Sequence, residues 1–498
     1  METEVIFGGF ENKEYPCQIF EDCRYNNLKV TLFTAHEFNP KYYDEIIDIE
    51  VFFDLDFHAE SYLLSKNIPV YNVSSDVLSN FLEAQIYFHR LWDRIALIHS
   101  TFRSRERHFI EILTAILSVI SEKKNKITVI WREAPHSPPD IVLFFVCKFL
   151  NIQCFFAIKT LINSNIRFVD DFRPQKMKTI LFKPLGKRIN NYNTLINSVI
   201  SLDNYFLNRG KDINSERTNL HNNTLKRFKR FLRAIQRITF WVLNPDFQPR
   251  NKLYRLSSLK ILMYSILLAI RSKRYQKLLK NLSKSKLPNK PFIFYPLNFQ
   301  PEMTTDPTAG FYTHPHLIIR EILQATPSDM YLVVKEHPRQ FLSYDNLPEM
   351  NFRDSKFLNS LTYNRRVVFI DRSIPNEKII PKSCLVVGST GSALWEAIAY
   401  GVPSLSFAHT WHGECDAAPF FDHTKHVLGD IIKHLLAKNK DEIHKDVIDF
   451  LQKNKNFFYE TLHIHRAAIE SNVPFDLLVK KYVECTFQLT VGNFTKSN

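Results

Sequence analysis

Three features of the sequence predict an α/β protein made of two doubly wound, mostly parallel sheets with a basic helical insert between them. Strand-like and helix-like stretches alternate over residues 1–170 and alternate again from residue 291. The strand-like runs are near-continuous Val, Ile, Leu and Phe, as expected of strands buried on both faces by covering helices. Between the two halves, residues 171–290 hold 27 Lys+Arg against 5 Asp+Glu, a local net charge of +22 that leaves −8 on the rest of a chain whose total is +14. A chain of 498 residues also exceeds what one hydrophobic core serves.

In the first half, "LKVTLFTAH" and "DIEVFFDLDF" read as strands, and residues 76–99 and 104–121 have helical apolar spacing. "KITVIWREA" is a buried strand broken by "PHSPPD", and "DIVLFFVCKFLN" follows as a helix with Asp140 as its expected N-cap. In the second half, "PFIFYPLNF", "MYLVVK", "RVVFID", "CLVVG" and "PSLSF" read as strands, with "PHLIIREIL" and "ALWEAIAY" as helices among them. The organisation expected is therefore an N-terminal Rossmann-like domain (1–170), a basic helical insert (171–290), a C-terminal Rossmann-like domain (291–426) and a C-terminal helical segment (427–498). Two Rossmann-like domains facing a cleft, a GT-B-like arrangement, follow by analogy.

Composition excludes several classes. Forty-two Phe against 11 Gly rules out collagen-like or Gly-rich linker architectures, and no repeat of fixed period is present. The seven Cys are scattered without a C-x-x-C, which points to reduced thiols. "METEVIFGGFENKEYP" shows no basic region followed by an apolar stretch, so no secretory signal is expected. The longest apolar run, "ILMYSILLAI", is too short for a bilayer span, which takes about 20 residues.

The chemistry-bearing residues cluster where strands end. In an open parallel sheet, ligands bind beyond the carboxyl ends of the strands. "GSTGS" closes one strand and opens a helix: Ser389, Thr390 and Ser392 bring hydroxyls, Gly391 lets the backbone approach a ligand, and the helix N-terminus favours phosphate. The alternative is an ordinary helix start after a small-residue turn. Glu396, one turn into the helix, is placed to accept hydrogen bonds from ribose hydroxyls. In "KEHP", Lys335 and His337 lie two apart on extended chain and so project to one side, toward a phosphate or a developing negative charge. Glu302, in "QPEMTTDPTAGF", is a candidate acid/base or acceptor-orienting group, and Glu133 and His136, in "REAPHSPPD", are candidate general bases. "HTWHGECD" carries His409, His412 and Cys415, but the spacing matches no common zinc pattern. His314 and His316 fit helix capping or loop packing.

"YPLNFQPEMTTDPTAGFY", "LVVKEHP" and "VVGSTGSALWEAIAYGVPSLSF", in this order, resemble the bacterial capsule polysaccharide biosynthesis family, which includes transferases using CMP-activated Kdo. The likeness is good over 291–415, weaker over 126–160 and absent over the insert. His-Pro and Ser/Thr-rich motifs of this kind also resemble those of two-domain bacterial sialyltransferases. The resemblance implies a glycosyltransferase of surface-polysaccharide synthesis in which His337 and the Ser389–Ser392 loop hold the donor phosphate, Glu396 sits near the ribose and Lys335 neutralises phosphate charge. "KEHP" stands where some family members have Lys-Pro-His-Pro, and "AHTWHGECD" where they have an aromatic-Gly-Trp-Gly stretch, so a donor other than CMP-Kdo stays open. A non-catalytic capsule assembly or export protein, a polyol-phosphate transferase and a sugar-nucleotide epimerase are the alternatives.

A helix N-terminus, a His and a Lys supply the positive charge a leaving phosphate needs, so no cofactor and no essential divalent ion are expected. For the insert, whose residues 224–243 read as a basic amphipathic helix, the expected partner is an anionic membrane surface rather than nucleic acid. That places the chain in the cytoplasm, peripheral to the inner face of the plasma membrane, with a CMP-linked nucleotide sugar as donor and a glycan or glycolipid as acceptor.

Overall fold

The computed structural model describes residues 3–496 apart from 11–13, 35, 55, 96–100, 124–125, 161–164, 174–175, 183–257, 303–304, 307, 339, 341–352 and 462–473. The basic amphipathic helix expected at 224–243 lies outside the described residues.

The first sheet has seven strands: β1 (Thr3–Gly8), β2 (Lys29–Thr34), β3 (Glu45–Asp48), β4 (Lys126–Trp131), β5 (Gln153–Lys159), β6 (Asn165–Val169) and β13 (Tyr459–Glu460). Their spatial order is β13-β6-β5-β4-β1-β2-β3. The five strands from β3 to β5 are parallel, and β6 and β13 close one edge antiparallel. The second sheet has β8 (Phe292–Pro296), β9 (Tyr331–Lys335), β10 (Val367–Ile370), β11 (Leu385–Gly388) and β12 (Ser404–Ser406), in the order β10-β9-β8-β11-β12 and parallel throughout. Both sheets reverse strand order once, between β1 and β4 and between β8 and β11. The fold is thus two Rossmann-like α/β units, and each has one topological switch point, the place where open α/β sheets generally bind ligands.

Apolar runs give these strands because both faces are covered. Val129, Ile130 and Trp131 of β4 are sealed between the helices Phe102–Ser121 and Pro138–Phe149 on one side and Glu14–Tyr25 and Phe475–Val491 on the other. Burying each such side chain contributes about 1.5–3 kcal/mol. In the second unit, Leu332 and Val334 face the helix Pro315–Ala325, while Val333 faces Ser392–Ala399. The last stretch divides itself between the units. Helix Lys440–Asn454 packs its Ile443 and Phe450 around Trp395 and Trp411. Helix Phe475–Val491 instead returns to the first sheet, where Leu478 and Tyr482 join Phe7 and Phe20. A two-stranded ribbon pairs β14 (Phe494–Lys496) with β7 (Ile180–Phe182).

Two local expectations change. Only Asp48 of "DIEVFFDLDF" is strand; Glu50–Phe53 forms a 3₁₀ turn. The turn is started by the Asp48 carboxylate accepting the Glu50 amide at 2.8 Å, and it drops Phe52 edge-on against Phe57, centroids 5.1 Å apart. Asp140 is not the N-cap of its helix. Ser137 is, and Asp140 sits at the third helical position, where its carboxylate accepts the Ser137 amide at 3.1 Å in a capping box.

All seven cysteines are free thiols. Among the described residues, no helix is long and apolar enough to cross a membrane, and no group of three or more His, Cys, Asp or Glu is placed to hold a metal ion. His412 lies 5.4 Å from the Trp395 ring, Cys415 belongs to the same cluster, and His409 lies 5.7 Å from the Phe420 ring; burial brings His409 to about 3 and His412 to about 4 and pushes the Cys415 thiol up to about 12. His314 occupies the N-cap position of Pro315–Ala325 but makes no side-chain capping bond; its ring lies 5.6 Å from that of His316.

Candidate active site

The residues that follow β8 form the centre of the second switch point. Asn298, two residues beyond β8, accepts the Ser389 hydroxyl at 2.8 Å and donates Nδ2 to the Thr390 carbonyl at 2.9 Å and to the Thr390 hydroxyl at 3.2 Å. The neighbouring Phe299 ring lies 5.6 Å from the His337 ring. The "GSTGS" loop, on Asn298, and the His-Pro motif, on Phe299, are therefore gathered on two adjacent residues, one from each side of β8. Ser389 is buried, whereas Gly391 and Ser392 are exposed at the helix start. Gly391 has φ +115°, which L residues rarely adopt, and a Cβ there would meet Asn298 Nδ2 at 3.3 Å. With glycine as N-cap, the cap residue has no side chain to bond the first-turn amides of Ser392–Ala399, groups of the kind that favour an anion.

A buried polar network fixes this loop from beneath. Arg353, fully buried, donates Nε to Glu336 at 3.0 Å and Nη2 to the Asn298 carbonyl at 2.9 Å, and also bonds Gln300. Glu336 in turn accepts the Tyr275 hydroxyl at 2.7 Å and the His337 amide at 2.8 Å. Gln300 and Gln340 bond reciprocally through backbone and side chain at 3.0 and 2.7 Å. Charges buried this deeply are retained only when each is paired and hydrogen-bonded. The result holds the Asn298–Gln300 segment rigidly at the sheet edge.

Lys335 and Glu396 are placed differently from the hydroxyl loop. The Lys335 side chain is 3% exposed and donates to Asn376 Oδ1 at 2.7 Å. Burial lowers its pKa to about 8, against the opposing pull of Glu377, Glu396 and Asp371. Its ammonium thus lies under the helix rather than in the open crevice, and Glu396 is half-buried within its electrostatic reach.

At the first switch point, Glu133 and His136 follow β4. His136 Nε2 lies 2.6 Å from Glu133 Oε1, and Arg132 donates to the same oxygen at 2.7 Å. His136 Nδ1 has no hydrogen-bond partner among the described residues. Gly8, at the end of the adjacent β1, is needed beside them: a Cβ there would fall 2.5 Å from Trp131 Nε1.

The two edges meet across helix Leu82–Ile95. Arg90 Nη2 lies 3.1 Å from Asp306 Oδ1 and donates to Thr313 Oγ1 at 2.8 Å. Arg94 donates to the Asp306 carbonyl at 3.0 Å, and its burial-lowered pKa is held up by Asp306, Glu133, Glu302 and Asp140. One guanidinium therefore sits within electrostatic reach of Glu133 from the first unit and Glu302 from the second. Glu302 is exposed, and its carbonyl accepts the amides of Thr305 and Asp306 at 3.1 and 2.9 Å. At the far side of the contact, buried Arg167 of β6 donates to the Trp411 carbonyl at 2.5 Å.

No family model and no curated protein matches the chain. Among solved structures, it is similar to the beta Kdo 2,7 transferase KpsC of Thermosulfurimonas dismutans, at 10% identity and a TM-score of 0.27 over 74% of this chain and 96% of that one. It is also similar to the UDP-GlcNAc 2-epimerase of Methanocaldococcus jannaschii in complex with UDP-GlcNAc and UDP, at 13% identity and a TM-score of 0.24 over 91% of this chain and 100% of that one. A third, the glycotransferase of kitacinnamycin, matches at 8% identity and a TM-score of 0.24 over 96% and 99%. At such scores the chemistry of this chain rests on its own residues.

Sequence reasoning placed the Ser389–Ser392 loop, His337 and the Glu133–His136 pair at strand ends, but it missed Asn298, Glu336, Arg353, Arg90 and Arg94. Asn298 stands in the quoted "YPLNF" and was readable as a polar residue just past a strand. Arg90 and Arg94, one turn apart on the helix, carry no such signal: only the packed structure shows which face of it meets Asp306.

Proposed function

We propose that the chain is a glycosyltransferase that binds a nucleotide-activated sugar, CMP-linked by preference, at the Asn298/Ser389–Ser392 crevice and transfers the sugar to a glycan or glycolipid acceptor of a surface polysaccharide. The observation that carries this reading is the joining of the two strand-end motifs on Asn298 and Phe299, with a hydrogen-bonded Glu133–His136 pair at the corresponding strand end of the first unit.

In this reading the acceptor hydroxyl loses its proton to the hydrogen-bonded Glu133–His136 pair, with Arg132 beside the Glu133 carboxylate. The acceptor oxygen forms a bond to the anomeric carbon as the bond from that carbon to the phosphate oxygen breaks. The phosphate leaves with the bonding electrons, and its charge is met by the first-turn amides around Ser392 and by His337. Ser389, Thr390 and Gly391 shape the seat, and Glu396 reaches toward the ribose. Lys335 acts from beneath, as a positive charge within electrostatic reach of Glu396. Glu302, sharing Arg94 with Glu133, orients the acceptor. The division expected from the sequence, acceptor domain 1–170, insert 171–290, donor domain 291–426 and terminal segment 427–498, belongs to this proposal. So does residence in the cytoplasm, at an anionic membrane face.

The test is product formation from CMP- and UDP-linked sugars with and without an added acceptor glycan. Acceptor-dependent release of the nucleotide supports transfer. Conversion of the donor sugar to its epimer without acceptor assigns the chain to the alternative chemistry.

A further inference from the structure

We propose that the helix Ser258–Leu282 seats the protein on an anionic lipid surface, with Met263, Ile266, Leu267 and Ile270 inserted among the acyl chains. These four residues lie at i, i+3, i+4 and i+7, which is one stripe of a helix. All four are 43–57% exposed, while Leu268, Tyr275 and Leu279 on another face are buried, Tyr275 and Leu279 in the core of the second unit. Four large aliphatic side chains aligned and open to water are out of place on a surface that meets only solvent.

The occupant is indicated by charge. The same stripe continues along the helix as Lys273, Arg274 and Lys277, flanked by Arg271 and Lys280, all exposed. The helix contains no Asp or Glu at all. An apolar patch that runs into an unbroken basic patch matches the layering of an anionic leaflet, with acyl chains beneath phosphate. The long Lys and Arg stems let their heads reach the phosphates while Ile266 and Leu267 sit deeper. Among the described residues no helix is able to span a bilayer, so the helix lies on the surface rather than crossing it. Tyr275, on the buried face, is hydrogen-bonded to Glu336 and through it to Arg353 and Asn298. The docked helix is thus joined rigidly to the crevice, whose orientation to the membrane it would set. Vesicle binding is read without turnover, so it stands or falls apart from the transferase reading.

The experiment is co-sedimentation of the full chain with vesicles of phosphatidylcholine alone and of phosphatidylcholine with phosphatidylglycerol, at low and high salt. The wild-type chain is expected to pellet with the anionic vesicles and to stay in solution with the neutral ones. Ile266→Ser/Leu267→Ser should weaken binding about tenfold or more through lost apolar burial. Lys273→Gln/Arg274→Gln should weaken it about tenfold or more, with a shallower salt dependence. Circular dichroism checks that both variants stay folded, and light scattering reads the oligomeric state. Failure of the wild-type chain to bind anionic vesicles, or unchanged binding by Ile266→Ser/Leu267→Ser, overturns the proposal. Dissociation of an oligomer by that variant, with vesicle binding unaltered, overturns it too and assigns the stripe to a second copy of the chain.

Discussion

The Asn298 side chain and Ser389 are joined by a 2.8 Å hydrogen bond across ninety-one positions of sequence. The same amide clamps Thr390, so one residue after β8 sets the shape of the loop after β11. These strands are neighbours only because the sheet changes direction between them. The crevice is therefore a product of topology as much as of the hydroxyl-rich loop.

Asn298→Ala removes the clamp without touching the apolar core. Each lost hydrogen bond is worth about 0.5–1.5 kcal/mol. Nucleotide affinity should fall about tenfold while the far-UV spectrum is unchanged, as measured by titration calorimetry on the folded variant. Unaltered affinity would show that the loop holds its shape without Asn298.

The Glu133–His136 pair should govern turnover rather than donor affinity. His136→Ala is expected to lower kcat by about a hundred- to ten-thousandfold, the usual range for a lost general base. Glu133→Gln keeps the ring in place and should show a smaller loss. Steady-state kinetics with donor and acceptor varied separately reads this split; a change confined to donor KM would remove His136 from the chemistry.

Lys335 supplies a pH signature. It titrates at about 8 in the folded chain because burial disfavours its charge. The unfolded chain keeps that proton up to about 10.4. Unfolding thus takes up a proton between these values, and this group makes stability rise with pH from about 8 to about 10.4. Lys335→Met should abolish that rise and be more stable below about pH 8, by up to ~3 kcal/mol, in denaturant titrations. An unchanged pH profile would contradict the buried charge.

Buried histidines give the opposite end of the scale. Burial lowers His108 and His412 to about 4. Both are neutral when folded, whereas the unfolded chain gains their protons below about 6.5. The stability they hold is complete above about pH 6.5 and is lost as pH falls toward 4, about 3 kcal/mol for each. Urea unfolding of wild type and His412→Gln at about pH 7 and about pH 4.5 should show a shallower acid loss in the variant. Equal losses would show that other groups drive the acid transition.

Most strands were legible because a strand covered on both faces must be apolar throughout, as in "KITVIW" and "CLVVG". β1 was not read, although it is central: its apolar core is only "VIF", followed at once by two glycines. Gly8 leaves the space that Trp131 fills and Gly9 takes a φ of +72°, neither of which a local pattern reveals. The Ser389–Ser392 loop was readable because a helix start with small residues has a physical purpose. The neighbouring Lys335 was assigned to phosphate, and the fold instead turns it beneath the helix toward Asn376. Strand parity puts it on the face covered by Ser392–Ala399, and only the sheet order shows that this face is closed. Glu336, between the two residues singled out, proves to be the hub of the buried network.

The most direct measurement of the central claim is calorimetric titration of CMP and of UDP into the wild-type chain and into Gly391→Val. A β-branched residue at φ +115° distorts the loop at an exposed position, so the crevice changes while the core stays intact. Saturable binding of CMP by the wild type, lost in Gly391→Val, is the predicted result. A wild-type chain that binds neither nucleotide, or a variant that binds as tightly as the wild type, would contradict it.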